Sequence, residues 1–243
     1  MLRVCDVTKS YDGVNIILNN INMYAKKGEI VGIVGLNGAG KSTLMKTIAG
    51  VTDVSSGHVL INGADNKLLS EYQRKKISFL STGYNLYNEL TVIENLNIFK
   101  KIYVASDEEL KHVVSLLKIE SFLNKKVGDL STGMKKRVEI ACSTMHKFNL
   151  LMLDEPTNGL DIEAKEQILD YFRSRLTPNN AILITSHNIK DIEKLCKRIY
   201  VIREGKIIID TTIEELLQRN SNKGKVDLED AILNVIYEGD YRE

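Results

Sequence analysis

Continuous apolar runs mark the candidate core strands of this chain. The first run covers 30–34, and similar runs cover 150–153, 181–184 and 199–202, while 77–80, which contains Ser78, is a further candidate strand. A strand that is buried on both faces of a sheet shows this pattern, because neither face meets water. Segments of helical composition lie between several of these runs. The pattern therefore predicts the central sheet of an α/β domain.

The first 25 residues show a different pattern, in which apolar and polar positions alternate towards the end. Residues 2–8 and 14–25 have the composition of two antiparallel strands, and Asp12-Gly13 between them favours a turn. Alternation of this kind is typical of a sheet with one buried face. We therefore predict an N-terminal antiparallel β-subdomain ahead of the central sheet.

The pattern becomes helical near residue 83. Capping boxes, in which Ser or Thr is followed three residues later by Glu, occur at Thr91/Glu94 and Ser106/Glu109. We interpret this part as a helical subdomain inserted into the sheet. The predicted organisation is a core with its β-subdomain at 1–82 and 148–220, a helical subdomain at 83–147, and a C-terminal helical tail at 221–243.

A glycine-rich turn connects the first core run to a helical segment. Its sequence is Gly35-Leu36-Asn37-Gly38-Ala39-Gly40-Lys41-Ser42-Thr43. Strand, glycine-rich turn, Lys-Ser and helix form a phosphate-binding loop, in which backbone N–H groups and the helix N-terminus face phosphate oxygens. Lys41 is expected to reach the β- and γ-phosphates, and the Ser42 hydroxyl is expected to hold Mg²⁺. The loop predicts a nucleoside triphosphate site.

Two carboxylates follow the core run at 150–153. Asp154 stands at the strand end, where phosphate-loop proteins place an Asp that holds Mg²⁺ through its water shell. Glu155 comes one residue later and is free to face a water near the γ-phosphate, where it can polarise that water or accept its proton. We therefore predict Asp154 as a metal ligand and Glu155 as a catalytic residue.

Charge and cysteine content exclude several other classes of protein. The 33 basic and 32 acidic residues give a net charge of +1, so no strong field favours nucleic acid. The three cysteines, Cys5, Cys142 and Cys196, are scattered, which indicates reduced cytosolic thiols and no zinc site. No apolar run approaches the roughly 18 residues of a membrane span, and no signal-peptide pattern is expected.

Four motifs occur in a fixed order along the chain. They are Gly35–Thr43, then Leu130-Ser131-Thr132-Gly133-Met134, then 153–161 (Leu-Asp-Glu-Pro-Thr-Asn-Gly-Leu-Asp), then Thr185-Ser186-His187. This series resembles the ATP-binding subunit of an ABC transporter over essentially the whole chain. The resemblance implies a P-loop NTPase core of the RecA-like type, with an antiparallel β-subdomain and an inserted α-helical subdomain.

The resemblance also implies that Ser131 and Gly133 belong to a signature motif that acts across a subunit boundary. Ser131 is expected to open a helix, and a helix N-terminus with a hydroxyl is an anion site. Since each chain already has its own phosphate loop, a second phosphate-binding helix end favours a dimer. We therefore expect a homodimer that holds two ATPs between its partners.

Three further residues take roles from the resemblance. His187 resembles the switch histidine that hydrogen-bonds the γ-phosphate, and Asp161 resembles the interface Asp that links the two sites. Tyr11 matches the aromatic residue that stacks on adenine. A ring face gives affinity with little selectivity between bases, so GTP remains an alternative to ATP.

The sequence departs from the family pattern at the hinge between core and helical subdomain. Thr82 occupies the position of the usual Gln, and it is expected to ligate Mg²⁺ with a shorter reach. Thr132 and Met134 also differ from the usual signature. These departures are similar to sodium-extrusion and related exporter ATPase subunits. Because Lys41 and Glu155 are intact, a working ATPase is expected.

The resulting hypothesis is an ATPase subunit that drives export. ATP binding closes the dimer and moves the helical subdomains. This motion is transmitted to a separately encoded membrane permease, which binds at a docking surface around Tyr84–Leu96. This places the chain at the cytoplasmic face of a bacterial membrane. Two alternatives remain open: a soluble ABC-type ATPase that serves an assembly complex, and a small-molecule kinase that uses the phosphate loop.

Overall fold

The computed structural model describes residues 1–81, 86–220 and 227–237. The predicted hinge residue Thr82 lies outside the described residues, and so does Tyr84 of the predicted docking surface. Of the predicted C-terminal tail, 227–237 is described.

Ten strands and nine α-helices form the described part of the chain. The strands are β1 (Leu2–Ser10), β2 (Ile16–Ala25), β3 (Ile30–Val34), β4 (Ser56–Ile61), β5 (Ala64–Asp65), β6 (Ile77–Leu80), β7 (Leu150–Asp154), β8 (Ala181–Thr185), β9 (Arg198–Arg203) and β10 (Lys206–Thr212). The helices are α1 (Lys41–Ile48), α2 (Glu71–Arg74), α3 (Val92–Tyr103), α4 (Asp107–Leu116), α5 (Thr132–Thr144), α6 (Ile162–Arg175), α7 (Ile189–Leu195), α8 (Ile213–Asn220) and α9 (Leu228–Tyr237).

The central sheet has six strands in the order β10-β9-β3-β8-β7-β6. Neighbouring strands from β9 to β6 are parallel, and β10 alone pairs antiparallel at the edge. All five residues of β3, β7 and β8 are buried, as their continuous apolar runs predict. Since β8 lies between β3 and β7, the chain segments that follow these three strands meet at one edge of the sheet.

The central sheet is the middle of three layers. Along β7, Leu151 and Leu153 pack in the cluster on the side of the inserted helices, whereas Leu150 and Met152 pack in the cluster on the side of the antiparallel sheet. Full burial of such a side chain stabilises the fold by about 1.5–3 kcal/mol. The continuous apolar runs exist because alternate residues of one strand enter different cores.

The antiparallel sheet has four strands in the order β2-β1-β4-β5. Strand β2 begins at Ile16 rather than at 14, because the Asp12 carboxylate accepts hydrogen bonds from the backbone N–H groups of Val14 and Asn15 and holds them in a turn. The segment around Val59 also belongs to this sheet, since β4 pairs with β1. The sequence pattern predicts the strand but not its partner.

The predicted capping boxes are confirmed. At the start of α3, the Thr91 hydroxyl accepts the Glu94 N–H and the Glu94 carboxylate accepts the Thr91 N–H, and α4 begins with the same arrangement at Ser106 and Glu109. Residues of α3, α4 and α5 share one hydrophobic cluster with the central sheet. Across the described ranges, each helix is too short or too polar to cross a bilayer.

Candidate nucleotide site

The phosphate loop leaves the central sheet after Val34 and enters α1 at Lys41. Gly38 and Gly40 have φ angles of 80° and 106°, which residues with a Cβ rarely adopt. At Gly35 the limit is space, because a Cβ there would lie 2.2 Å from the carbonyl oxygen of Ile202. The glycines that predict the loop are therefore required by its backbone.

Lys41 folds back along the phosphate loop. Its Nζ donates hydrogen bonds to the carbonyl oxygens of Gly35 at 2.8 Å and Leu36 at 3.1 Å. Burial lowers the pKa of this ammonium, while the nearby carboxylates of Glu155 and Asp154 raise it. The side chain thus brings a cation into a loop that also exposes its backbone N–H groups at the start of α1.

The other predicted residues of the loop differ in exposure. Asn37, Gly38 and Ser42 are exposed, Thr43 is half-buried, and Ala39 is buried. The Ala39 carbonyl oxygen accepts the Gly205 N–H at 3.1 Å, which ties the loop to the turn between β9 and β10. The exposed residues leave the phosphate-binding face accessible.

Asp154 ends β7 in a buried position. Its Oδ1 accepts a hydrogen bond of 2.6 Å from the Thr185 hydroxyl, whereas its Oδ2 is buried without a hydrogen-bond partner among the described residues. A buried carboxylate oxygen without a partner is costly, and a hydrated cation would satisfy it. An Mg²⁺ ion that also binds the exposed Ser42 hydroxyl fits this donor set, because hard oxygen ligands suit magnesium.

Glu155 has a left-handed backbone conformation, with φ of 51°. Its N–H points at Thr185 and lies 3.1 Å from the hydroxyl oxygen and 3.2 Å from the carbonyl oxygen. Its Oε2 accepts hydrogen bonds from His187, at 2.7 Å from Nδ1 and 3.2 Å from the backbone N–H. Glu155 and His187, which are predicted to be catalytic together with Lys41, are therefore in direct contact.

Asp191 is a buried carboxylate that the sequence analysis missed, and it contacts the loop that follows Glu155. Asp191 of α7 accepts a 2.6 Å hydrogen bond from the Thr157 hydroxyl and forms a 2.8 Å ion pair with Lys165 of α6. It joins the loop after Glu155 to the helix that follows His187. An Asp in a short polar helix has the composition of a solvated face, so the sequence carries no signal for its burial.

Ser131 and Asp161 both cap helices. The Ser131 hydroxyl accepts the Met134 N–H at 3.3 Å at the start of α5, as the sequence predicts, and the Asp161 carboxylate accepts the Ala164 N–H at 2.8 Å at the start of α6. Both residues remain exposed. Gly133 faces the turn before Asp161, since a Cβ at Gly133 would lie 3.7 Å from Leu160 Cδ2.

Tyr11 follows β1 and is 59% exposed. The Nζ of Lys9 lies 4.8 Å from the centre of its ring. A cation at this distance is attracted to a tyrosine ring, and this contact holds the side chain near the surface. The ring is accessible for stacking, and its contact with adenine stays a prediction.

Comparison with known proteins gives one consistent result. The sequence profile described as ABC transporter matches residues 18–158. The Nod factor export ATP-binding protein I of Rhizobium leguminosarum bv. viciae is 37% identical over 221 residues, which cover 89% of this chain and 71% of that protein. The probable multidrug ABC transporter ATP-binding protein YbhF of Escherichia coli K12 is 31% identical over 91% of this chain and 39% of its own length.

Two solved structures show the same fold. A structure titled ATP binding subunit of ABC transporter superposes with a TM-score of 0.87 at 26% identity, over 97% of this chain and 99% of that one. A dimeric post-hydrolysis state of the ATP-binding cassette MJ0796, bound to ADP and Pi, superposes with a TM-score of 0.77 at 29% identity, over 87% of this chain and 98% of that one.

Proposed function

The chain belongs to the ABC transporter family of ATP-binding proteins, and on that premise we propose that it hydrolyses ATP to drive export through a separate membrane permease. The observation that carries the proposal is the contact between Glu155 and His187 at the sheet edge where Lys41 enters its helix. A carboxylate, an imidazole and a lysine at one phosphate loop suit phosphoryl transfer to water better than nucleotide binding alone.

Binding of ATP uses the loop and the tyrosine. The backbone N–H groups at the start of α1 and the Lys41 ammonium bind the β- and γ-phosphate oxygens, and Tyr11 stacks on the base. When bound, Mg²⁺ would neutralise part of the negative charge of the phosphates. Ser42 and the free Oδ2 of Asp154 would hold it, and Thr82 stays a further predicted ligand.

Hydrolysis uses Glu155 and His187. Glu155 polarises a water whose oxygen attacks the γ-phosphorus, the bond to the β,γ-bridging oxygen breaks, and the proton of the water passes to the carboxylate. The backbone N–H of His187 holds Glu155 from one side, and when ATP is present the single N–H of the imidazole ring donates a hydrogen bond to the γ-phosphate. Lys41 stabilises the negative charge of the transition state, so most of the catalysis is positioning and electrostatics.

A second copy of this chain completes the site. Ser131 and Gly133 open α5 at the surface, and the exposed hydroxyl and N–H groups form an anion site that the phosphate loop of the same chain does not require. The partner would place these groups on the γ-phosphate, and Asp161 would link the two sites. The dimeric MJ0796 structures are consistent with this arrangement.

The permease is proposed from the family and from the names of two relatives, an export protein and a probable multidrug transport protein. Within the predicted docking surface, Tyr87 is 54% exposed. The surface around Tyr84–Leu96 stays the proposed docking surface, and the proposed location of the chain is the cytoplasmic face of the membrane.

Co-purification tests the proposal against a soluble assembly complex. The tagged chain is isolated from detergent-solubilised membranes and, in parallel, from the soluble fraction of the same cells. A multi-helix membrane protein present in stoichiometric amount in the first preparation supports export. A complex of soluble proteins alone would contradict the permease and favour the alternative function.

A further inference from the structure

Strand β8 lies between β3, which leads into the phosphate loop, and β7, and its last residue is Thr185. Asp154 ends β7 and Glu155 follows it, and these two residues are called the acidic pair below. In the parallel register of β7 and β8, Thr185 is the direct partner of Asp154. The threonine is completely buried. One buried side chain therefore lies next to both acidic residues of the site.

The Thr185 hydroxyl forms a hydrogen bond with each of the two acidic residues. It lies 2.6 Å from Asp154 Oδ1 and 3.1 Å from the backbone nitrogen of Glu155. A hydroxyl has one proton to donate, and an ionised carboxylate can only accept. The proton therefore points to Asp154, and an oxygen lone pair accepts the N–H of Glu155.

We propose that Thr185 is a positioning residue for the nucleotide reaction, which sets both the metal-facing oxygen of Asp154 and the backbone of Glu155. Its hydroxyl donates a hydrogen bond to Oδ1 of Asp154, so Oδ2 is the carboxylate oxygen that remains available for a cation. The same hydroxyl anchors Glu155, whose φ of 51° is a conformation that needs support from its surroundings. The inference rests on the proposed function for the identity of the cation and the reaction.

A purely structural role for Thr185 makes a different prediction. Valine has the same β-branched shape and fits a buried strand, so Thr185→Val keeps the packing but removes both hydrogen bonds of the hydroxyl. The N–H of Glu155 then keeps only the backbone carbonyl oxygen of residue 185 as its acceptor. Thr185→Ser keeps the hydroxyl but removes a methyl group. If the residue only fills space, valine is the better replacement, and if it positions the acidic pair, serine is the better replacement.

The matched control is Thr144→Val. Thr144 is also fully buried, and its hydroxyl bonds to the Ile140 carbonyl oxygen and to the Tyr171 hydroxyl, away from the acidic pair. It reports the effect of losing a buried hydroxyl as such. Circular dichroism and thermal unfolding confirm that each variant is folded.

The first measurement is the affinity for Mn²⁺ in the presence of ATP, which electron paramagnetic resonance monitors. It is made in a Glu155→Gln background so that ATP is not hydrolysed. Loss of the residue that orients a metal ligand typically weakens metal binding by about 10–100-fold. We expect Thr185→Val to weaken Mn²⁺ binding by about 10-fold or more, and Thr185→Ser and Thr144→Val to stay within about 3-fold. Unchanged Mn²⁺ binding in Thr185→Val, or a serine variant as weak as the valine variant, would overturn the proposal.

The second measurement is steady-state ATP hydrolysis with the Glu155 side chain intact. Thr185→Val should lower kcat by about 10-fold or more with little change in the KM for ATP, because the phosphate loop is untouched. A change confined to KM contradicts the positioning role. If the wild-type chain does not hydrolyse ATP, the proposed function fails, while the Mn²⁺ measurement still decides the role of Thr185.

Discussion

The carboxylate of Glu155 is hydrogen-bonded to the ring of His187, with Oε2 2.7 Å from Nδ1. The same oxygen also accepts the backbone N–H of His187 at 3.2 Å. The residues are 32 positions apart and meet because β7 and β8 are adjacent and parallel. The histidine side chain is 58% exposed, whereas that of the glutamate is 15% exposed. The pair is therefore buried on the glutamate side and accessible to solvent on the histidine side.

Glu155→Gln should trap ATP. The amide keeps the size of the side chain but is a poor proton acceptor, so hydrolysis should fall by about 10²–10⁴-fold while the loop still binds nucleotide. An ATP-bound dimer should accumulate, which light scattering detects as a doubled mass. Glu108→Gln, in the first turn of α4, is the surface control. A variant that stays monomeric at saturating ATP would rule out the two-ATP dimer.

Two inactive variants should restore activity when mixed. On the proposed model, Lys41→Ala should damage the phosphate loop of its own chain and Ser131→Arg should damage the site on the partner. Each mixed dimer should then keep one site with both parts intact. Random mixing at equal amounts should recover about a quarter of the wild-type rate if the sites are independent, since half of the dimers are mixed.

The control for this experiment mixes Lys41→Ala with Glu155→Gln. Both changes damage the half of the site that one chain provides, so no combination leaves a complete site, and no activity should return. Absence of recovery in the Lys41→Ala and Ser131→Arg mixture would contradict a role of Ser131 across the subunit boundary. Recovery in this control would contradict the assignment of Lys41 and Glu155 to the same half of the site.

Gly35→Ala should disrupt the loop more than an alanine at a glycine of an open turn. The added Cβ would lie 2.2 Å from the Ile202 carbonyl oxygen, so the loop or β9 must move, and overpacking of this kind costs about 1–3 kcal/mol or more. Gly63→Ala, with φ of 84° and no atom near its Cβ, should cost about 1–2 kcal/mol from backbone strain alone. Urea unfolding and nucleotide binding measure both effects. Equal binding by the two variants would contradict the steric argument.

The pH dependence of stability should report His146, which stacks on Tyr103 with ring centres 4.0 Å apart. Burial, assisted by the cations of Lys76 and Arg175, lowers its pKa from 6.5 to about 4. As the pH falls, the unfolded chain binds the proton at a higher pH than the folded chain does. The contribution of neutral His146 to the free energy of unfolding is therefore complete above pH 6.5 and is lost as the pH falls towards 4. The loss is on the order of 3 kcal/mol.

His146→Phe keeps the stacked ring and removes the titration. The free energy of unfolding of the wild type should therefore fall relative to that of the variant between pH 6.5 and 4, and the difference should be constant above pH 7. Urea unfolding at a series of pH values measures it. Parallel curves for the two proteins would show that His146 is not buried in its neutral form.

The amino-acid sequence by itself determined the local features of this protein. Burial on both faces, capping boxes and the glycine-rich loop depend on residues near one another in the chain, so their patterns predict the core strands, the helix starts and the course of the phosphate loop. The family motifs add the order of the candidate site residues. They do not show which side chains are bonded to each other.

Only the tertiary structure decided those partners, because they depend on strand order and on pairings between distant segments. The position of β8 between β3 and β7 brings Thr185 to Asp154 and His187 to Glu155. Pairing of β4 with β1 and burial of Asp191 follow from the same long-range packing. The sequence does not show whether the hydrogen-bond partner of a polar residue is water or a buried hydroxyl. The packing of distant segments decides between the two.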